Sequence, residues 1–371
     1  MPRSYQPINP ASDVTTTRTF LHEVIPITGT ILTATYGTFP NENNIKNYTH
    51  GMFQSVYDYP VLSSSANHIF DLSCGYSAGS PLSSSTATQN AKKINMYNLH
   101  AQVLLGFTGS TTSSTSTLRA FENDLVLDQV GTMKECFFID FSRLLVKDEI
   151  KKNTFSITIS SGSWDTAVHG GNTLTLQDSA ARVDGTGINT TNGGDYGVLY
   201  DNTSATGSGY GVIFYQAGIC VLSASAVFPM GDRAPGASNN QPTTCSTFWG
   251  PGIDGNTYNV HQALFTGSIS GSCDALRHRI HNISFNNTTQ INSTLFTCRA
   301  GYNAFNYSSN PTYLSGSKIR VKNVASDNPV SYVTTVGLYN AQNELLAIAK
   351  LSEPLKKSVD NELAIRVRLD Y

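Results

Sequence analysis

Charged residues are scarce in this sequence, and two charged residue types are missing from one long stretch. No lysine and no glutamate occurs from residue 153 to residue 317. Asp, Glu, Lys and Arg make up 13% of the chain, which is about half of the usual ~25%. Flexible charged side chains normally keep the surfaces of soluble monomers apart. A segment without them is expected to pack against other copies or neighbouring subunits, which favours part of an assembly over a free enzyme.

Two further absences exclude classes of partner. The net charge of −2 provides no basic surface, so we expect no nucleic-acid partner. No apolar run approaches the roughly 20 residues that cross a bilayer. The N-terminal sequence MPRSYQPINPASDVTTTRTF has no apolar segment typical of a secretion signal. We therefore expect a chain that is made in a cytoplasm and is not inserted into a membrane.

The six cysteines point to free thiols and not to a metal site. No pair has C-x-x-C spacing, which disfavours structural zinc. Cys136 and Cys220 lie in apolar runs and are expected to be buried and reduced. Pairing stays open for Cys245, Cys273 and Cys298 in the polar half, although a cytoplasmic origin disfavours disulfides.

Short β-branched runs separated by Gly, Asn, Ser and Asp predict a mainly β fold of antiparallel sheets, with β-sandwich architecture and one or two short helices. The many aromatic residues of the polar middle argue against disorder there. Four regions are predicted: an extended arm (1–17), a β-rich region (18–159), a Gly/Ser/Thr/Asn-rich β domain or set of insertions (160–317), and C-terminal antiparallel strands (318–371).

Local patterns place the main elements. An apolar stripe at three- and four-residue spacing, which runs from Ala91 to Leu105, predicts a helix over 88–105 that is capped by Ser84, Ser85 or Thr86 and ended by Gly106. Strands are predicted at 20–26, 28–36, 136–141 and 154–159, then at 173–176, 197–199, 211–215, 218–222, 281–285 and 294–298, and finally at 319–324, 330–339, 345–351 and 363–369. A second short helix is predicted over 118–127. Ile365, Val367 and Leu369 alternate with Arg366, Arg368 and Asp370, so the first three are expected to face a core.

No residue pattern in the chain names a reaction, and we expect no catalytic residue, metal or cofactor. His278 and His281 have the most ligand-like spacing. The sequence that follows predicts a strand, which would put the two rings on opposite faces. The glutamates are expected at the surface. Trp164 and Trp249 would stack on sugars in a glycan-binding protein, or would fill small cores or subunit contacts.

The C-terminal sequence VTTVGLYNAQNELLAIAKLSEPLKK…ELAIRVRLDY resembles the C-terminus of virion structural proteins from tailed bacteriophages, particularly large contractile-tailed phages such as the marine cyanophages. Residues 44–77 and 134–159 are similar to the same family, and residues 210–222 more weakly so. The resemblance implies a virion component of the tail, baseplate, neck or head surface, made in the host bacterial cytoplasm. The implied partners are further copies of the chain and other virion proteins. An alternative is a module on the virion that binds a host receptor or surface glycans.

Overall fold

The computed structural model describes residues 5–33, 35–84, 88–108, 117–122, 132–160, 173–181, 187–202, 209–228, 260–308, 314–315, 318–319 and 329–371. The chain divides into two compact units. We call His22–Thr289 the core unit, and Met1–Leu21 together with Gln290–Tyr371 the terminal unit.

Strands account for most of the regular structure. They are β1 (Val14–Thr28), β2 (Ile45–Asn47), β3 (Gln54–Tyr57), β4 (His68–Tyr76), β5 (Phe107–Thr108), β6 (Thr117–Leu118), β7 (Glu135–Phe141), β8 (Glu149–Ile150), β9 (Ser156–Ser160), β10 (Thr173–Gln177), β11 (Ile188–Thr191), β12 (Gly194–Asp201), β13 (Gly211–Phe214), β14 (Ile219–Ser223), β15 (Ile280–Ala300), β16 (Leu314–Ser315), β17 (Lys318–Ile319), β18 (Val330–Tyr339), β19 (Leu345–Ser358) and β20 (Leu363–Asp370). The helices are α1 (Gly29–Leu32), α2 (Asn90–Leu104), α3 (Arg143–Val146), α4 (Ala224–Val227), α5 (Val260–Ala263) and α6 (Ile269–Arg277), and Pro81–Ser84 forms a 3₁₀ turn.

The fold is mainly β and antiparallel with a few short helices, which confirms the predicted fold class. Fourteen strands form one sheet in the order β1-β15-β9-β10-β12-β13-β14-β7-β4-β3-β2, with β11 beside β12 and with β8 and β20 beside β15. Three two-stranded sheets, β5–β6, β16–β17 and β18–β19, complete the described strands. The large sheet is open, because its path runs from β1 to β2 without closing.

The sheet of the core unit is buried on both faces. Along β7, Phe137 and Ile139 belong to one core cluster, and Cys136 and Phe138 belong to the other. Helix α6 packs on the first cluster, and helix α2 supplies buried residues to the second. Strand side chains that are covered on both faces are normally apolar and uncharged. Within the core unit, burial therefore accounts for part of the scarcity of Lys and Glu without any neighbouring subunit.

The first cluster also gives the core unit a sandwich-like packing. Strand β10 meets β12 through the pairs Leu176–Asp201 and Gln177–Tyr200. In the sheet order, β15 lies on the β10 side of this junction and β7 lies on the β12 side. The first cluster contains Ile283 of β15 together with Phe137 and Ile139 of β7. The two halves of the sheet therefore pack their apolar faces together, as the two sheets of a β-sandwich do.

One of the two strand predictions near the N-terminus needs correction. The predicted strand at 28–36 is interrupted by the helical turn α1, where the N–H of Thr33 donates to Gly29 O at 3.0 Å. The side-chain amide of Asn44 donates from Nδ2 to Ile31 O at 2.7 Å and holds this turn. Tertiary hydrogen bonds thus override the strand preference of the β-branched residues. The predicted strand at 20–26 lies within β1, which begins at Val14.

Helix α2 confirms the predicted helix, but the capping prediction was wrong. The N-cap residue is Gln89, with a left-handed φ of 58° and no side-chain capping hydrogen bond. Gly106 adopts φ of 75° and ends the helix as predicted. The buried face includes Lys93 and His100, whereas Ala91 of the predicted apolar stripe is exposed. The hydrophobic pattern missed these two residues because both pair with groups inside the protein.

Among the remaining predicted strands, β10, β13 and β14 match closely, whereas β19 continues past the predicted end at 351 to Ser358. Residues 320–324 of the strand predicted at 319–324 lie outside the described residues. The strands expected at 281–285 and 294–298 are parts of β15, a single strand of 21 residues. The helix predicted over 118–127 is not formed in its described part, because Leu118 belongs to strand β6. Residues 123–127 of that prediction lie outside the described residues. In the terminal unit, β20 pairs with β15 from Ser293–Asp370 to Ala300–Leu363, and β18 pairs with β19 as a hairpin.

Candidate functional site

The histidine pair with ligand-like spacing is separated in the structure. His278 follows α6 and is buried, and its Nε2 lies 3.7 Å from Glu42 Oε2. His281 is exposed on β15. Across the described residues, no group of three or more His, Cys, Asp or Glu side chains is arranged to hold a metal ion.

Next to His278 lies a buried ionic cluster that is centred on Arg277. Arg277 Nη1 and Nη2 donate to the two carboxylate oxygens of Glu42 at 2.9 and 2.5 Å. Arg277 Nη2 also donates to Asp274 Oδ1 at 2.9 Å. Nε donates to Gln54 Oε1 at 3.2 Å, and Nη1 also donates to Leu32 O. All five guanidinium donors are thus used within the protein. The cluster ties α6 to the segment around Glu42 and leaves no donor for a ligand.

Electrostatics in this cluster strongly favour the charged form of Glu42. Burial alone would raise the pKa of its carboxyl group. Hydrogen bonds and charges from His278 and Arg277 outweigh burial and lower that pKa from 4.5 to about 2. The same carboxylates raise the pKa of Arg277 against the opposing effect of its burial. In such a pair, the attraction between the opposite charges offsets the cost of burying each of them. Removing one partner leaves the other as an uncompensated buried charge.

The prediction that the glutamates lie at the surface was wrong for Glu122 and Glu135, which are buried, and for Glu42, whose side chain is 5% exposed. Ser80 Oγ donates to Glu135 Oε1 at 2.5 Å, and His261 Nε2 lies 3.9 Å from Glu135 Oε2. Burial lowers the pKa of His261 although the charge of Glu135 opposes this. Because Glu135 lies between the serine and the histidine, the imidazole is not placed to activate the hydroxyl.

A serine-nucleophile pattern escaped sequence reasoning. Residues 75–79 read Gly-Tyr-Ser-Ala-Gly, which matches G-x-S-x-G at the end of β4. In hydrolases this pattern forms a strained strand-to-helix turn. Here Ser77 is not among the positive-φ residues, and a turn with a short 3₁₀ segment follows it. The pattern is therefore present in the sequence without the geometry that gives it chemistry.

A row of polar side chains crosses β3, β4 and β7, where Ser55, Asp71 and Asp140 are direct cross-strand neighbours. Ser55 Oγ donates to Asp71 Oδ1 at 2.5 Å, and His68 Nε2 lies 2.8 Å from the same oxygen. His100 Nε2 contacts Asp140 Oδ2 at 3.2 Å. Burial would lower the pKa of His100, but Asp140 outweighs it and raises that pKa. Because a carboxylate, and no imidazole, contacts the serine, the row lacks an activated nucleophile.

A buried lysine lies beside two thiols in the core unit. Lys93 Nζ donates to Phe265 O and to Gly267 O, the latter at 2.5 Å. Burial lowers the pKa of Lys93, against the effect of the thiols of Cys74 and Cys273. Burial raises the pKa of Cys273. All three side chains are enclosed, so the group is suited to filling the core and has no path to a substrate.

The cysteines follow the sequence prediction. Cys136 and Cys220 are free and buried, which confirms their predicted state. Cys273 is free and buried, and Cys298 is free and half-buried. Cys245 lies outside the described residues. Trp164 and Trp249, the predicted glycan contacts, lie outside them as well.

The terminal unit has almost no apolar core. Leu338, with 8% of its surface exposed, is the single buried apolar side chain in the described part of this unit. The prediction that Ile365, Val367 and Leu369 face a core was wrong, since the first two are half-buried and Leu369 is exposed. The large apolar or aromatic side chains that the unit exposes are Tyr5, Phe20, Leu21, Tyr302, Phe305, Tyr307, Tyr332, Tyr339, Leu345, Leu346, Ile348, Leu355, Leu369 and Tyr371.

The β18–β19 hairpin carries six of these side chains and is fixed at its base by polar contacts. Lys357 Nζ donates to Asn306 Oδ1 at 2.7 Å and to Ser358 O at 2.6 Å. Ser331 Oγ donates to Phe305 O. Toward the opposite end, Leu346 and Ile348 are 68% and 59% exposed. We call the segment from Tyr339 to Ile348 the hairpin tip, and it is the strongest candidate interaction surface in the described residues.

Comparisons with known proteins add no family assignment. Within the described residues, no helix combines the length and apolar character needed to cross a membrane. No protein-family model, no curated protein and no solved structure matches this chain.

Proposed function

We propose that this chain is a structural subunit of a tailed-phage particle and acts through subunit–subunit assembly, without catalysis. The observation that carries the proposal is the exposure of apolar side chains in the terminal unit, whose described residues include a single buried apolar side chain. The C-terminal sequence of this unit is also the part of the chain that most resembles phage virion proteins.

The amount of exposed apolar surface supports an interface. The hairpin exposes six large side chains, which at roughly 100 Å² each amount to about 600 Å². A stable interface takes about 800 Å² from each partner. The hairpin, together with the other exposed side chains of the terminal unit, would therefore supply the surface that one stable contact needs.

Chemistry within the chain points the same way. Arg277, Lys93 and Glu135 are buried, and each forms hydrogen bonds with groups of the protein itself. The G-x-S-x-G pattern lacks a strained turn, and the polar row on β3, β4 and β7 lacks an activated nucleophile. Assembly needs no such site, because strand pairing and packing between subunits are its only requirements.

Two measurements test the proposal. Mass spectrometry of purified particles, from the phage that encodes the chain, should detect the protein in a fixed copy number per particle. Sedimentation of the purified chain should show association that rises with concentration. A chain that is absent from washed particles and stays monomeric at high concentration would rule the proposal out.

A truncation locates the function in the terminal unit. Deleting residues 363–371 removes β20, the partner of β15, and should abolish entry into particles because a strand edge is newly exposed. The matched control is Arg366→Lys, a conservative change at an exposed position of the same strand, which should assemble normally. Normal incorporation of the truncated chain would contradict a role for this unit.

A further inference from the structure

The outer edge of β19 is an unpaired strand edge at the hairpin tip. Strand β19 pairs with β18 on one side and with no other strand of the described chain. Strand β18 differs in that its side chains make contacts within the terminal unit, where Ser331 Oγ donates to Phe305 O and the Tyr339 ring lies 4.9 Å from the Tyr5 ring. A free edge with exposed apolar side chains is a template for pairing with another strand.

We propose that the β19 edges of two copies of this chain pair with each other, antiparallel, about a two-fold axis at Ala347. This inference rests on the proposed assembly function and names one partner of the surface, a second copy. Two hairpins joined in this way form a four-stranded sheet. A sheet of that size is stable in water, whereas an isolated two-stranded hairpin is marginal.

The sequence around Ala347 is self-complementary in this register. Residues 344–350 read Glu-Leu-Leu-Ala-Ile-Ala-Lys. With Ala347 on the axis, Lys350 lies opposite Glu344 of the second copy, and the symmetry creates this opposite-charge pair twice. Glu344 directly precedes β19, and its carboxylate also accepts from Asn340 Nδ2 at 2.7 Å in its own chain. Ile348 then lies opposite Leu346 of the second copy. These are the two most exposed apolar side chains of the tip. Opposite charges and apolar pairs across an antiparallel ladder are both stabilising.

Other registers of the same edge are less favourable. An axis at Ile348 would place Lys350 opposite Leu346, and an axis at Lys350 would place two lysines together. Farther along, Pro354 has no N–H to donate to a ladder. The β18–β19 register shifts once in its neighbourhood, between Val333 and Thr335, and once within the tip, between Leu338 and Tyr339. Strand β18 carries no charged residue that would select a register. The tip of β19 is thus the part of the hairpin where the sequence specifies one pairing.

An engineered cysteine tests the position of the axis. In Ala347→Cys the two thiols would face each other across the axis, with the Cα atoms about 4.5–5.5 Å apart, within the range that a disulfide bridges. In the matched control Ala349→Cys, four residue steps of roughly 3.3 Å separate the two Cα atoms, which is too far. Both alanines are half-buried on the same strand. Forming the disulfide releases two electrons and two protons from the thiol pair, which a mild added oxidant accepts.

We expect a covalent dimer from Ala347→Cys, and none above background from Ala349→Cys or from the unmodified chain, which carries six cysteines of its own. A charge exchange provides a second test. Lys350→Glu and Glu344→Lys should each raise the dimer dissociation constant about tenfold, because each puts like charges opposite one another twice. The double variant should restore the original value.

The outcomes separate the two proposals. Association without a cross-link from Ala347→Cys, or with an equal cross-link from Ala349→Cys, overturns the two-fold pairing and leaves the assembly function standing. The two-fold pairing is likewise overturned when the double charge variant has a dimer dissociation constant as high as that of the single variants. Absence of the chain from purified particles overturns the assembly function in a phage virion, whichever cysteine cross-links.

Discussion

The two units of this chain contain similar residues but reach opposite states of burial. In the core unit, Tyr196, Phe214 and Tyr215 are buried between strands and the elements that cover them. In the terminal unit, Tyr302 and Tyr307 are more than half exposed, although they come from the same stretch without Lys and Glu. Composition therefore does not determine whether an aromatic side chain fills a core or faces outward.

The difference in burial implies a difference in what holds each unit together. Ordering each residue costs roughly 1–2 kcal/mol of backbone entropy, which apolar burial has to offset. The core unit offsets it with two apolar clusters, one on each face of its sheet. The terminal unit buries Leu338 and otherwise polar residues such as Lys357 and Ser331. Within the described residues, its hairpin therefore has little apolar burial to offset that cost.

Hydrogen exchange should show the largest contrast between the units. Amides of β7, β13 and β14 in the dilute monomeric chain should exchange through global unfolding. Amides of β18 and β19 should open locally, with a free energy lower by about 5 kcal/mol or more. Equal protection of the hairpin and the core strands in a monomer would show that the terminal unit is stable by itself.

Truncating one phenylalanine in each unit sharpens the contrast. Phe138 is fully buried and stacks on His100 with ring centroids 4.0 Å apart, so Phe138→Ala should lower the free energy of unfolding by about 3–5 kcal/mol. Phe20 in the terminal unit is 50% exposed, and Phe20→Ala should cost about 1 kcal/mol or less. Denaturant titration of the two variants gives both values. Similar losses would contradict the distinction between the units.

Sequence patterns predicted most of the strands because their signals are local. The β-branched and alternating runs gave the bounds of β18 and nearly those of β7, β9 and β20. Burial was harder to predict, since alternation shows which side chains share a face and not whether anything covers that face. The alternation of Ile365, Val367 and Leu369 is real, but the cover expected over them is missing from the described chain.

The buried polar groups could not be predicted from sequence for a related reason. Glu42 and Arg277 are 235 positions apart and become partners only through the tertiary fold. Each looks like a surface residue when read alone. The signal available in the sequence was the scarcity of charge. In a segment with few charges, an arginine that ends a largely buried helix such as α6 is a candidate for a buried ion pair.

Acid titration tests the electrostatic side of the core unit. The folded pKa of Glu42 is about 2 against 4.5 for the free group. Its contribution is therefore fully present above pH 4.5 and is lost as the pH falls from 4.5 toward 2. Allowing for solvent screening, Glu42→Gln should cost about 2 kcal/mol at neutral pH, and its difference from the parent should shrink across that window. A difference that does not change between pH 5 and pH 2.5 would contradict the ion pair.

The smallest expected effect lies at the hairpin tip, and it separates stability from assembly. Ile348 is 59% exposed, so Ile348→Ala should change the unfolding free energy of the dilute monomer by no more than about 0.5 kcal/mol. The same change removes apolar surface from the proposed contact between copies and should weaken association, as measured by sedimentation of the same preparation. Thr334→Ala is the control, because this exposed position on β18 lies outside the proposed pairing segment. A loss of 2 kcal/mol or more in the monomer would mean that the tip packs within its own chain. The terminal unit would then have a core of its own, and its contrast with the core unit would disappear.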